Sequence, residues 1–202
     1  MRVVAGRLRG RVLSAPAGDA TRPTGARVKE ALFSILGDVS GARVLDLYAG
    51  SGALGIEALS RGAVGAVFVE SGRPALACLR ENLSKLGLGE VATTLAVRVE
   101  SAAPQLKRHA PFELVLCDPP WRDIEAARAA LDALARAGLF APAARIVLEH
   151  SAKEPPATPE GPALLQVCDQ RRWGDTAITI FEPADVPGPD RGPDPTPDEP
   201  RP

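Results

Sequence analysis

The chain has 202 residues, 45% of them hydrophobic and 24% charged, with a net charge of −1. That composition describes a soluble globular protein of one domain, with at most a small appendage and enough residues to bury a substantial core. No apolar run approaches the roughly 20 residues of a membrane span, and Met1–Arg7 lacks a signal-peptide core, so a cytoplasmic, non-membrane protein is expected. Cys78, Cys117 and Cys168 show no metal spacing and read as reduced packing residues, so no metal is expected. The small net charge hides an asymmetry. Residues 1–30 hold seven basic and two acidic side chains, a net +5, which predicts a polyanionic partner for that end.

In chain order, residues 1–15 alternate loosely, and Arg7–Leu13 predicts a short two-stranded ribbon turning near Gly10. Thr21-Arg22-Pro23-Thr24-Gly25 is a turn. A helix follows from Ala26 to Leu36, with Val28, Ala31, Leu32 and Ile35 as its apolar stripe; Arg27, Lys29 and Glu30 lie off it, and Gly37 ends it. Val44-Leu45-Asp46-Leu47 reads as a buried strand running into Gly50-Ser51-Gly52 and then a helix through Leu59. Ala66–Glu70 is a second strand, Pro74–Leu86 a helix, Leu95–Val99 a third strand and Phe112–Cys117 a fourth. Residues 123–138 form a helix and Arg145–Glu149 a fifth strand. Leu164–Cys168 and Thr176–Phe181 close as an antiparallel pair around Arg171–Asp175. The β–α alternation predicts an α/β fold, a mostly parallel sheet with helices on both faces. From residue 183 onward eight of twenty residues are proline and five acidic, which predicts a disordered tail. The expected organisation is thus a basic ribbon and helix over 1–37, a main domain over 38–182 and a tail over 183–202.

Two stretches carry chemistry. The first is the strand–glycine turn–helix unit at Gly50-Ser51-Gly52, which presents backbone N–H groups at the carboxyl edge of a sheet. It also fits the dinucleotide fingerprint through Gly55, so alone it names no ligand. Glu70, 18 residues past Gly52, ends the next strand where nucleoside-binding folds place a carboxylate for ribose hydroxyls. The second is Asp118-Pro119-Pro120-Trp121, which ends the fourth strand. The prolines stiffen the loop. Asp118 and the Pro119 carbonyl offer two acceptors for a planar –NH₂ group, and Trp121 offers a face on which a base stacks, worth about 1–3 kcal/mol. An acceptor pair beside an aromatic plate suits alkylation of a nucleobase amine and has no use in hydride transfer.

With these residues together the sequence resembles the class I S-adenosylmethionine-dependent methyltransferases with an amino-methylation motif, and more closely the RsmD-type ribosomal RNA guanine-N2 methyltransferases. The resemblance runs from Arg2–Gly6 and Arg9–Arg11 through Arg22-Pro23-Thr24, Arg27–Glu30, Tyr48–Gly55, Val69-Glu70 and Asp118–Pro120. It implies a Rossmann-like fold whose mostly parallel seven-stranded sheet ends in an antiparallel closing strand. It also implies methyl transfer to the exocyclic N2 of one guanine in 16S ribosomal RNA of the small subunit. By resemblance, S-adenosylmethionine is held by Asp46, Tyr48, Ala49, Gly50, Ser51, Gly52 and Glu70, with Arg22 and Thr24 closing over the pocket. Asp118, Pro119 and Trp121 hold the target base. Two departures stand out. Trp121 replaces the usual Phe or Tyr, and Ser101 aligns where an Asp or Asn contacts the adenine amine, leaving Ser101 or Glu100 for that contact. Arg7, Arg9 and Arg11 are expected to contact RNA phosphates. A monomer is expected. The rivals are an amino-methyltransferase acting on DNA adenine or protein glutamine with the same pocket, and a non-catalytic RNA-binding assembly factor.

Overall fold

A computed structural model describes residues 1–15, 26–153 and 164–184. Arg22, Thr24 and most of the proline-rich tail lie outside the described residues. The strands are β1 (Arg43–Leu47), β2 (Gly65–Val69), β3 (Ala92–Leu95), β4 (Phe112–Cys117), β5 (Phe140–Ser151), β6 (Leu165–Trp173) and β7 (Thr176–Pro183). They form one seven-stranded sheet in the order β3-β2-β1-β4-β5-β7-β6. The pairs from β3 to β5 are parallel, whereas β7 runs antiparallel to both β5 and β6. The chain leaves β1 towards β2 and β3, then returns to the other side of β1 as β4. That reversal opens a crevice at the carboxyl ends of β1 and β4, where open α/β sheets bind ligands.

The helices are α1 (Ala26–Leu36), α2 (Ala53–Ser60), α3 (Arg73–Lys85), α4 (Ala103–Leu106) and α5 (Ile124–Arg136). Residues of β1 alternate between two apolar clusters: Val44 joins Phe33, Ile56, Leu59 and Leu79 on one face, and Leu45 and Leu47 join Leu106, Leu131 and Leu134 on the other. This two-sided burial is why the parallel strands read as near-continuous apolar runs. Gly37, at φ 73, donates its N–H to the Phe33 carbonyl at 3.2 Å and closes α1 as expected.

Several expectations need correction. The third strand is Ala92–Leu95, not Leu95–Val99. It is an edge strand of half-buried Ala and Thr, so it carries no apolar run, and Val97 and Val99 instead cover the α5 face from the turn beyond it. Arg171, Arg172 and Trp173 belong to β6, and the connection shrinks to Gly174-Asp175. The ribbon is reduced to one antiparallel bridge, Arg2 with Val12, flanked by Val3 N–H to Arg11 carbonyl and Leu13 N–H to Met1 carbonyl bonds of 3.0 and 2.9 Å. Cys168 is exposed, while Cys78 and Cys117 are buried thiols.

The largest departure is Lys29, expected on the outer face of α1. It is 1% exposed, and its ammonium lies 3.1 Å from Glu57 Oε2 and donates to the Arg2 carbonyl at 2.9 Å. Glu57, on α2 and fully buried, also accepts the Val4 and Ala5 N–H groups at 2.8 and 2.9 Å and pairs with Arg61 Nε at 3.0 Å. Asn82 of α3, also fully buried, accepts the Ser14 N–H at 2.8 Å and donates to the Ser14 and Ser51 carbonyls at 3.0 and 2.9 Å. These two side chains satisfy backbone groups that no sheet or helix ladder reaches. Glu57 fastens the first arm of the ribbon to α2, the helix that begins at the glycine turn, and Asn82 fastens the second arm to α3 and to that turn at Ser51. Lys29 therefore contributes no charge to the basic surface.

Candidate active site

The turn after β1 is built from backbone conformations that side chains disfavour. Tyr48 has φ 56, Gly50 φ 56 and Gly52 φ 81. Gly52 caps α2, and a Cβ there would lie 2.5 Å from Leu79 Cδ1. At Gly55 a Cβ would lie 2.4 Å from the Phe68 ring and 2.9 Å from Asp46 Oδ2. These two glycines thus let α2 pack onto β1 and β2, and the turn's shape follows from that packing. Gly55→Ala is expected to destabilise the fold by about 1–3 kcal/mol through overpacking, read as a lower urea midpoint with unchanged slope.

Asp46 stands behind the turn. It is 2% exposed, its Oδ2 accepts the Gly55 N–H at 2.9 Å, and it does not line the cavity described below. Burial holds its carboxyl well above the usual range against the Gly55 bond, and the nearby Asp118 and Glu70 push the same way. Its place in the structure is to fix the first turn of α2. Ala49 and Ser51 are also buried and off the cavity wall; Ala49 donates to the Val69 carbonyl at 3.1 Å.

One large cavity, about 760 Å³, opens at the carboxyl edge of the sheet. Its walls include Tyr48, Gly50, Glu70, Glu100, Asp118, Pro119, Trp121 and Glu149. The structure therefore brings together the glycine turn, the strand-ending acid and the Asp-Pro-Pro-Trp loop, which are far apart in sequence. Glu70 Oε2 accepts the Gly50 N–H at 2.8 Å and Oε1 the Gly72 N–H at 2.6 Å. With one bond on each oxygen, the carboxylate is fixed in orientation and keeps lone pairs for two more donors. The Tyr48 hydroxyl is buried with no hydrogen-bond partner among the described residues. Burial, reinforced by Cys117, Glu100 and Asp123, raises its pKa well above the ordinary value, so it stays an O–H donor.

At the other end of the cavity Pro120, with φ −53 and ψ 136, carries the chain outward from β4, and the Asp123 N–H closes onto the Pro120 carbonyl at 2.8 Å. Trp121 is 38% exposed at the rim. The Cys117 thiol beside Asp118 is held protonated by burial and by the neighbouring Asp118 and Asp46, so it is no nucleophile. Glu100 lines the cavity; Ser101 is exposed and is not part of its wall. Arg7, Arg9 and Arg11 are exposed but are not part of the cavity wall. The ribbon's turn bonds the far end of α2, with Arg7 N–H to Ser60 carbonyl at 2.8 Å.

Sequence reasoning assigned no role to Glu149, which is 8% exposed on the cavity wall. The signal was present: like Glu70 and Asp118, it is an acid directly after an apolar run, although β5 continues past it to Ser151. Among the described residues no group of His, Cys, Asp and Glu side chains is arranged to hold a metal ion. No helix of the described residues is long and apolar enough to cross a membrane.

The comparisons with known proteins agree with this architecture. The sequence profile of the family described as Conserved hypothetical protein 95 matches residues 1–182. A candidate rRNA methyltransferase of Bacillus subtilis, YlbH, is 35% identical over 184 residues, covering 90% of this chain and 98% of that protein. The ribosomal RNA small subunit methyltransferase D of Haemophilus influenzae is 34% identical over 168 residues, covering 82% and 86%. The solved structure of a candidate methyltransferase, yhhF, from Escherichia coli superposes with a TM-score of 0.75 at 33% identity, covering 91% of this chain and 97% of that one. The chain belongs to the Conserved hypothetical protein 95 family and is a methyltransferase of the RsmD type.

Proposed function

We propose that this protein transfers a methyl group from S-adenosylmethionine to the exocyclic N2 of one guanine in small-subunit ribosomal RNA. The observation that carries the reading is the meeting, in one cavity, of the Glu70 carboxylate, oriented by two backbone N–H groups, with the Asp118–Pro119 edge. The substrate class comes from the relatives, one of which is named a small-subunit rRNA methyltransferase.

The residues present fit the cofactor. Glu70 retains acceptor capacity for the two ribose hydroxyls, and Glu100 on the cavity wall offers an acceptor for an adenine amine. When bound, S-adenosylmethionine supplies a methyl group on a cationic sulfur, an electrophile that needs no metal activation. The protein's task is then positioning. Asp118 and the Pro119 carbonyl accept the two N2 hydrogens, which draws the nitrogen lone pair out of conjugation and aims it at the methyl carbon. Trp121 stacks on the base, which has to be turned out of the folded RNA to reach the cavity. Transfer to N2 would leave the electron pair of the former C–S bond on sulfur, so the protein has only the amine's charge to manage. The positive charge on N2 is stabilised by Asp118 and leaves as a proton to solvent.

Residues 1–37 would form the RNA-facing extension, with Arg7, Arg9 and Arg11 on phosphates remote from the target base. The Arg7→Ala/Arg9→Ala/Arg11→Ala variant is expected to raise KM for subunits, with calorimetric cofactor affinity unchanged. It should also flatten the log–log salt dependence by about 2, at roughly 0.7 for each phosphate no longer neutralised. An unaltered salt slope would remove these arginines from the interface.

The decisive experiment incubates the purified protein and labelled S-adenosylmethionine with small subunits from a strain lacking the gene, then identifies the labelled nucleoside. Label in N2-methylguanosine is the expected result. Label in another nucleoside, or none with cofactor binding intact, would overturn the substrate assignment while leaving the pocket standing.

A further inference from the structure

The walls of the cavity contain an acid for which methyl transfer to an amine has no evident use. In the parallel pairing of β4 with β5, Cys117 lies opposite Leu148. The residues that follow are Asp118, just past the end of β4, and Glu149, still within β5, so the two acids stand side by side at the carboxyl end of β4. Val147 and Leu116, two residues earlier, lie in the same apolar cluster, which places both acids on one face of the sheet. Neighbouring strands are about 4.8 Å apart, so the two carboxylates can meet adjacent atoms of one small planar group. Glu149 is 8% exposed, lines the cavity with Asp118, Pro119 and Trp121, and has Ile178 opposite it on β7.

We propose that Glu149 accepts the N1–H of the target base and so makes the site select guanine, a proposal that rests on the guanine-N2 reading above. The argument is a count of donors. The edge of guanine that enters the cavity carries three N–H bonds, two on N2 and one on N1. Asp118 and the Pro119 carbonyl meet the two on N2, which leaves N1–H for the neighbouring carboxylate. A base with the same amine but an unprotonated N1 presents a lone pair there instead. It would set two acceptors, the N1 lone pair and the carboxylate, against each other. Sites built to hydrogen-bond one substrate group reject analogues lacking it far more strongly than sites that sense only size. Glu149 already has an interaction in the protein, and a carboxylate has four acceptor positions, so the base joins that arrangement without displacing it.

The test swaps the donor on each side. Once the labelled nucleoside has been mapped, subunits are reconstituted with RNA carrying either guanine or 2-aminopurine at that position. 2-Aminopurine keeps the exocyclic amine and lacks the N1 hydrogen. The wild-type protein is expected to prefer guanine by about 100-fold or more in kcat/KM. Glu149→Gln, whose amide can donate to an unprotonated N1, should lower turnover on guanine and raise it on 2-aminopurine, narrowing the ratio at least tenfold. Glu149→Ala should narrow it as well by removing the repulsion, and it gives a second reading should the amide variant fold poorly. Cofactor affinity by calorimetry reports on the fold of each variant. A guanine preference that stays the same in both variants, with rates falling equally on both bases, would overturn the proposal and make Glu149 a structural neighbour of Asp118. Failure of the underlying reading looks different: the wild-type protein would then place no label in N2-methylguanosine at all.

Discussion

Asp118→Ala is expected to lower methyl transfer about 10³-fold while leaving calorimetric S-adenosylmethionine affinity within a few-fold of wild type. The two effects separate because the cavity has two ends. Glu70, Gly50 and Tyr48 lie at the β1–β2 end, and Glu70 is oriented by the Gly50 and Gly72 N–H groups, not by Asp118. Removing the Asp118 carboxylate leaves that end intact. At the other end the Pro119 carbonyl alone would meet the amine, so one N2 hydrogen is unmatched and the lone pair stays delocalised in the ring. The loss should fall on kcat, since these bonds strengthen as positive charge develops on nitrogen. Asp118→Asn supplies the control. Its amide oxygen still accepts one hydrogen bond but carries no charge, so its rate should lie between the wild type and the alanine variant. Equal rates for alanine and wild type would remove Asp118 from the chemistry. A collapse of cofactor affinity in the alanine variant would instead mean that the two ends are not independent.

Both halves of the cavity are legible in the sequence because each is local. A strand, a glycine turn and a helix occupy consecutive residues from Val44 to Leu59, and Asp118–Trp121 is a tetrad whose prolines fix its own backbone. The mostly parallel character of the sheet follows from β–α alternation, which needs only the apolar period. What stays hidden depends on partners distant in sequence. Lys29 sits at a charged position of an amphipathic helix and reads as solvated; nothing nearby shows that Glu57 waits for it. Asn82 lies inside a helix whose leucines explain its burial, while its bonds run to Ser14 and Ser51. The third strand is displaced because apolar content does not mark pairing. An edge strand pairs through its backbone whatever its side chains, and Val97 and Val99 owe their burial to a turn. Ser101 stands off the cavity wall for a related reason: alignment by position along the chain does not fix which side of a helical turn faces the cavity. Glu149 escapes notice although it follows an apolar run as Glu70 and Asp118 do, since such an acid is significant only once the register shows what stands beside it.

Glu57→Ala is expected to be the most destabilising single change outside the apolar core, at about 3–5 kcal/mol. Glu57 is fully buried and is the anion that pairs with Lys29 among the described residues. Its removal strands a buried ammonium, whose remaining bond to the Arg2 carbonyl cannot balance the charge. It also orphans the Val4 and Ala5 N–H groups. Lys29→Met together with Glu57→Ala should recover part of the loss, because the uncompensated charge disappears while the backbone groups stay unmet. The pH dependence has a definite sign. Burial raises the Glu57 pKa, but the Val4 N–H, Lys29 and Arg61 outweigh it and hold the carboxyl below its ordinary value of 4.5. A depressed folded value means that the stabilisation is complete above the unfolded value and is lost as pH falls through the folded one. Urea midpoints should therefore converge between wild type and Glu57→Ala on acidification below about pH 4.5, and differ most near neutrality. Because the ribbon is fastened to α2 through this residue, and α2 starts at the glycine turn, amide exchange in the variant should accelerate first at Val4 and Ala5. Uniform acceleration across the sheet would instead mean that the ribbon, α2 and the core open as one unit, with Glu57 stabilising all of it.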